Sequence, residues 1–267
     1  YQTLACASVV LLYFGCSEQS LQSSPSLLQT TKSTPSILDH SVPSDQTVSK
    51  RSNDLERFQV KDIEIGRYGG RLTLAAIGNP KTFNPLFGNE SSSSIYLSPM
   101  FADCWSFHNG RQEEEPGLCK SYERSEDGLT YIFTLRKGLR WSDGHPITSD
   151  DFVFSYRVIL DPGIPNSDRD LFRQGTDKQG RPRYPELTKL DALRFQFKLH
   201  EPDVLFQNTG GSFAVIPKHV WQASYARGQL LKTMSTSMDL SKLVGSGPFI
   251  VREFERNKRV VMVRNAL

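Results

Sequence analysis

Two adjacent carboxylates, Asp150 and Asp151, follow closely on a histidine, His145, and such a set invites an acid–base reading. Acid–base chemistry needs its groups to converge on one substrate atom. Neighbours on a helix point about 100° apart, so this pair would diverge. At a helix start both carboxylates would instead face the positive end of the dipole. His145, between Gly144 and Pro146, reads as a histidine on a surface turn. The other histidines, His40, His108, His200 and His219, are scattered without the spacing of a helical or hairpin metal site. Ser246 in "GSGPF" directly follows glycine, so the Gly-x-Ser-x-Gly elbow of a nucleophilic serine is absent. The same stretch lacks the Gly-Lys-Ser or Gly-Lys-Thr that completes a phosphate loop. No catalytic residue, metal or cofactor is therefore expected. Cys104 and Cys119 flank a polar loop, and either a disulfide or two buried thiols would suit them.

The elements that carry these residues are legible from periodicity. "ITSDDFVFSYRVILDP" starts with Thr148 three residues before Asp151, the spacing of a capping box with Asp in place of Glu. Phe152, Val153, Tyr156, Ile159 and Leu160 then fall on one helical face, and Asp161-Pro162-Gly163 ends the helix. Upstream, Asp127-Gly128 turns the chain into a strand with Tyr131, Phe133 and Leu135 on one face and Thr130, Ile132 and Thr134 on the other. Leu139 and Trp141 continue as a second short extended piece, which makes a meander. "DALRFQFKLHEP" is a further strand, alternating Leu193, Phe195, Phe197 and Leu199. "GGRLTLAAIGN", Gly69 to Asn79, reads as a first strand with Leu72, Leu74 and Ala76 alternating. A loop over 80–94, a short helix within Ser94 to Phe107 weakened by Pro99, and an exposed loop over 162–189 follow from their prolines, glycines and polar residues. "PDVLFQNTGG" suggests a short helix or turn, Pro217 opens a helix, and "GSGPFIVREFERNKRVVMVRNAL" a turn and two strands. This irregular order predicts an α/β fold with a mixed sheet.

The chain has 267 residues, and its net charge of +3 comes from 32 basic and 29 acidic residues mixed along it. No stripe of Lys and Arg offers a footprint for nucleic acid. The "EEE" of Glu113 to Glu115 reads as a solvated loop tip. The first residues contain an apolar run, Leu4 to Phe14, too short for the ~20 residues of a spanning helix but suited to an export signal. Gly15-Cys16 at its end resembles a bacterial lipoprotein signal in which Cys16 becomes lipidated. Residues 17–62 open on a tract rich in serine and free of aromatics, expected to act as a flexible linker. The expected organisation is a signal at 1–16, the linker at 17–62 and a folded body at 63–267. Trp105, Trp141, Trp221 and the many Phe and Tyr residues suit a cleft that binds without reacting.

Taken in order, "PKTFNPL", the block Glu115 to Pro162, "DALRFQFKLHEP", "VIPKH" and "VGSGPFIVREFERNKRVVMVRN" resemble the family 5 extracellular solute-binding proteins, the peptide and nickel receptors of ABC importers. The resemblance implies a periplasmic-binding-protein-like first lobe of class II, with the second lobe missing from this sequence. It implies a non-enzymatic, monomeric receptor, periplasmic or at the cell surface. Such a receptor binds extended oligopeptides and hands them to a permease, touching the membrane only through its lipid. It also places Gly88, Asn89, Glu90 and Ser91 beside the ligand. A receptor reduced to one lobe cannot close on its ligand as a hinge, so impaired binding is the expectation here. Two other readings stand beside this one: an exported hydrolase of glycan or peptidoglycan acting through Asp150 or Asp151, and a vestigial surface lipoprotein.

Overall fold

In the computed structural model, which describes residues 69–88, 90–108, 113–166, 168–233 and 235–266, helices and strands alternate without a regular repeat. In order they are α1 (Ser91–Leu97), β1 (Trp105–His108), β2 (Glu113–Pro116), β3 (Cys119–Arg124) and β4 (Thr130–Leu135). Then come α2 (Ser149–Leu160), α3 (Asp168–Leu171), β5 (Glu186–Lys189), β6 (Arg194–Lys198), α4 (Phe206–Gly211) and α5 (Lys218–Ala226). The chain ends with α6 (Leu230–Thr233), a 3₁₀ turn (Leu240–Lys242), β7 (Phe249–Glu255) and β8 (Arg259–Arg264). The expected signal, the linker, Cys16 and His40 lie outside the described residues.

The main sheet has the strand order β3-β4-β6-β5. Its register sets Tyr131 opposite Phe197 and Phe133 opposite Phe195, so the apolar faces of β4 and β6 coincide. All four rings are fully buried, whereas Thr130, Ile132 and Thr134 on the other face are half-buried. Helix α2 lies over this face, and the Phe152 ring stacks on Phe195 at 4.6 Å. The α/β architecture is as expected, but the expected mixed sheet is antiparallel at every pairing among the described residues. Reversals of chain direction join β3 to β4 and β5 to β6, and β6 inserts between β4 and β5, antiparallel to both.

Helix α2 starts at Thr148 as the capping spacing predicts: the Asp151 carboxylate accepts from the Thr148 backbone N–H at 2.9 Å. Its burial is wider than one face, because α5 covers a second side and buries Phe154, whose ring meets Tyr225 edge-on at 5.8 Å. Val153 and Leu160, placed on the core face by spacing, are only half-buried. The other oxygen of Asp151 accepts from the backbone N–H of Lys218, the first residue of α5, at 2.9 Å. One buried carboxylate thus caps two helices. Burial raises its pKa, and the bonds from Thr148 and Lys218 work against that rise. Asp151→Ala should cost about 1–3 kcal/mol, since two buried N–H donors lose their acceptor. Urea denaturation checks this, and an unchanged midpoint would show that the caps are dispensable.

Several expectations give way. Residues Gly69–Asn79 form no strand: Leu72, Leu74 and Ile77 are 81%, 70% and 98% exposed. The alternation is real, but among the described residues no neighbouring strand supplies the ladder bonds that would hold it. The helix expected within Ser94 to Phe107 begins earlier, in the serines, and stops before Pro99, which has no backbone N–H to continue the helical ladder. Trp105 and the residues after it belong to β1, paired with β2. Glu113 to Glu115 are therefore strand residues, and Glu114 accepts from the Gln207 amide at 2.9 Å. Within the expected 162–189 loop lie α3 and β5, the latter aligned by Leu187 opposite Phe197.

The expected turn and two strands at the end of the chain are present, and the "GSGPF" turn proves structural. The Ser246 hydroxyl accepts from the Ala102 N–H at 3.0 Å, and the Gly247 N–H donates to the Met100 carbonyl at 2.7 Å. A Cβ on Gly247 would sit 2.5 Å from the Pro99 carbonyl oxygen, so only glycine allows this approach. The contact seats the β7–β8 hairpin, whose Val251 joins Phe83, Met100 and Leu243 in a second small core.

Candidate ligand cleft

Helix α1 and the segment after it form one wall of an open cleft of about 280 Å³; Pro85 and Gly88 before the helix, α3 and the stretch from Ser212 to Val215 contribute the rest. Leu97, Phe101, Ala214 and Val215 give it apolar walls, and Asp103 and Asp168 bring carboxylates to it. Neither carboxylate has a hydrogen-bond or ion-pair partner among the described residues. Asp103 keeps access to solvent at the mouth, yet the surrounding protein raises its pKa to about 6. Asp168, half-buried, is shifted upward for the same reason.

Of the residues expected beside a ligand, Gly88 lines this cleft, and a Cβ there would come within 2.0 Å of Leu97 Cδ1. Glu90 and Ser91 lie at the start of α1 and are not among the lining residues. The Glu90 carboxylate accepts from the Ser93 hydroxyl, which more than any other contact lowers its pKa. Asn89 lies outside the described residues. Sequence reasoning missed Asp103 and Asp168, because isolated aspartates far apart in the chain carry no spacing signal.

The suspected acid pair is structural. Asp150 holds Lys189 and Lys218, and the Lys189 bond leads the effects that lower its pKa; Asp151 is the shared helix cap. His145 is exposed on its turn as expected, but its ring stacks on His219 at a centroid distance of 3.9 Å, a pairing that spacing did not reveal. Cys104 and Cys119 are joined by a disulfide. Among the described residues no group of three or more His, Cys, Asp or Glu side chains is arranged to hold a metal. None of their helices is long and apolar enough to cross a membrane.

This chain is 29% identical over 205 residues to a protein of Deinococcus radiodurans described as "Probable ABC transporter-binding protein", a match that spans 74% of this chain and 33% of that one. It is 28% identical over 202 residues to the dipeptide-binding protein of Escherichia coli, covering 71% of this chain and 36% of the relative. The fold superimposes on the ABC transporter substrate-binding protein CtaP of Listeria monocytogenes with a TM-score of 0.57 and 27% identity. That match covers 71% of this chain and 35% of CtaP. The chain thus spans about a third of the length of the relatives it matches. The family model described as "Bacterial extracellular solute-binding proteins, family 5 Middle" matches residues 113–267, more than half of the sequence. With the sheet, the capped α2 and the β7–β8 hairpin all inside that match, the chain belongs to the family 5 bacterial extracellular solute-binding proteins.

Proposed function

We propose that this chain belongs to the ligand-binding component of an ABC importer for oligopeptides, acting as a non-enzymatic monomer. It would be exported, held to the membrane through a lipid on Cys16 and set off from it by residues 17–62. The observation that carries this reading is the family match over 113–267, which includes Asp168 and the Ser212–Val215 wall of the cleft. Of the Gly88–Ser91 stretch Gly88 lines the cleft, and its main-chain groups would pair with an extended peptide, adding it as a strand. Its side chains would enter the cleft between Phe101 and Val215.

The carboxylates of Asp103 and Asp168 give that cleft a sign. A ligand ammonium or guanidinium placed between Asp103 and Asp168 would replace the water their partial burial removes. In calorimetric titrations at pH 7.5, trilysine should bind about tenfold tighter than triglutamate, the scale of one charge-assisted hydrogen bond. The double change Asp103→Asn, Asp168→Asn should erase the difference. Lowering the pH to 5 should shrink it too, because protons compete with the cation once the pH falls below about 6, where Asp103 becomes neutral. Failure to bind either peptide, or any mixed tripeptide, would sink the peptide reading. Equal binding of the two would leave that reading standing and remove the charge selection.

A further inference from the structure

We propose that His145 and His219 form a proton-operated latch that fastens the 142–146 turn to helix α5. The rings lie nearly parallel, 19° apart, at 3.9 Å between centroids. His219 Nε2 is 2.6 Å from Asp143 Oδ2, and the other Asp143 oxygen accepts from the His145 backbone N–H at 3.0 Å. Asp143 thus serves the ring of one histidine and the backbone of the other. Burial raises its pKa, but the His219 and His145 bonds outweigh that and leave it below the usual carboxylate range.

The charges around the pair decide what protons do. From the turn itself come Asp143 and Arg140, the latter donating to the Gly144 carbonyl at 2.8 Å. Helix α2 contributes Asp150 and Asp151, α5 contributes Lys218, and β5 contributes Lys189. Asp150 is occupied by the two lysines, and Asp151 accepts from the backbone of Thr148 and Lys218. Three carboxylates therefore face three cationic side chains, a balance that any proton taken up by either imidazole would tip. A first proton on His219 is met by Asp143, and an imidazolium over a neutral ring keeps the stack. A second proton, on His145, finds no free carboxylate among the described residues and sets two like charges face to face. Repulsion at about 4 Å is enough to drive a pair of exposed rings apart.

Their separation would free only the tip of the turn. Its base stays fixed by the buried Trp141 and by Ser142, whose N–H donates to the Gly245 carbonyl at 2.9 Å while its hydroxyl accepts from Gly245 N–H at 3.1 Å. Gly245 belongs to the turn that seats β7, so the latch adjoins the joint between the main body and the β7–β8 hairpin.

The test is amide exchange by NMR, expressed as protection relative to the unstructured chain so that intrinsic pH effects cancel. Between pH 8 and pH 5 the wild-type protection of the Trp141 amide, which donates to the His145 carbonyl of the tip at 2.8 Å, and of the His145 amide should fall about tenfold, with loss of the upfield ring-current shifts of both histidines. His145→Phe keeps a flat ring without a titrating proton, and His219→Gln keeps a donor to Asp143 without a second charge. Both should hold their protection within twofold across that range. Constant protection in the wild type, or an acid-induced loss in His145→Phe equal to that of the wild type, would overturn the proposal.

Discussion

Replacing Phe197 with alanine should lower the unfolding free energy by about 3–5 kcal/mol. The side chain, on β6, is fully buried, and its ring centroid lies 5.0 Å from Phe206, 5.2 Å from Tyr156 and 6.1 Å from both Phe172 and Phe195. Tyr156 belongs to α2, Phe206 to α4 and Phe195 to the strand itself, while Phe172 directly follows α3. The cavity left by the lost ring would be walled by several elements that cannot all collapse inward, which places the cost at the upper end for such changes. Phe197→Leu keeps most of the volume and should cost only about 1 kcal/mol. Leu72→Ala, at a site 81% exposed, should stay within about 0.5 kcal/mol of wild type. Urea denaturation with a constant m-value separates the three. A loss below about 1 kcal/mol for Phe197→Ala would mean that the aromatic cluster does not act as the core.

The second large effect belongs to the disulfide. Cys104 and Cys119 are fully buried and close a loop with a sequence separation of 15, around the β1–β2 pair. A loop of that length loses about 3 kcal/mol of chain-entropy stabilisation when the bond is removed. The double change Cys104→Ser, Cys119→Ser, and reduction of the wild type, should each lower stability by about that amount. The backbone offers partial compensation: the Gly117 and Cys119 N–H groups both donate to the Cys104 carbonyl, at 3.1 and 3.0 Å. If thermal and urea midpoints of the double variant matched the wild type, these bonds alone would be holding the loop.

What could be read from the sequence follows how local the signal is. Tyr131, Phe133 and Leu135 declare a buried strand face because each is two residues from the next, and Thr148 with Asp151 declares a helix start for the same reason. The second partner of Asp151, the Lys218 backbone, is invisible at that level because no spacing rule links residues that far apart. The same holds for His145 with His219 and for Asp103 with Asp168: the fold, not the sequence pattern, brings them together. Local signals also mislead where the partner decides the outcome. Leu72 and Leu74 alternate as a strand should, yet find no neighbouring strand among the described residues, while Glu186 to Lys189 alternate weakly and become β5 because β6 is there to pair with them. The resemblance named the family from motif order alone, which no single element could do.

The carboxylate of Asp151 joins the start of α2 to the start of α5, 67 residues further along the chain. The cap of α2 is local, but α5 gains its acceptor only once α2 is in place beside it. Their assembly therefore waits on closure of a long loop, which must also gather β5, β6 and α4. The two helices should behave as a single cooperative unit, entering and leaving the native state together, so that the slow, non-local step of folding is fixed by one buried side chain.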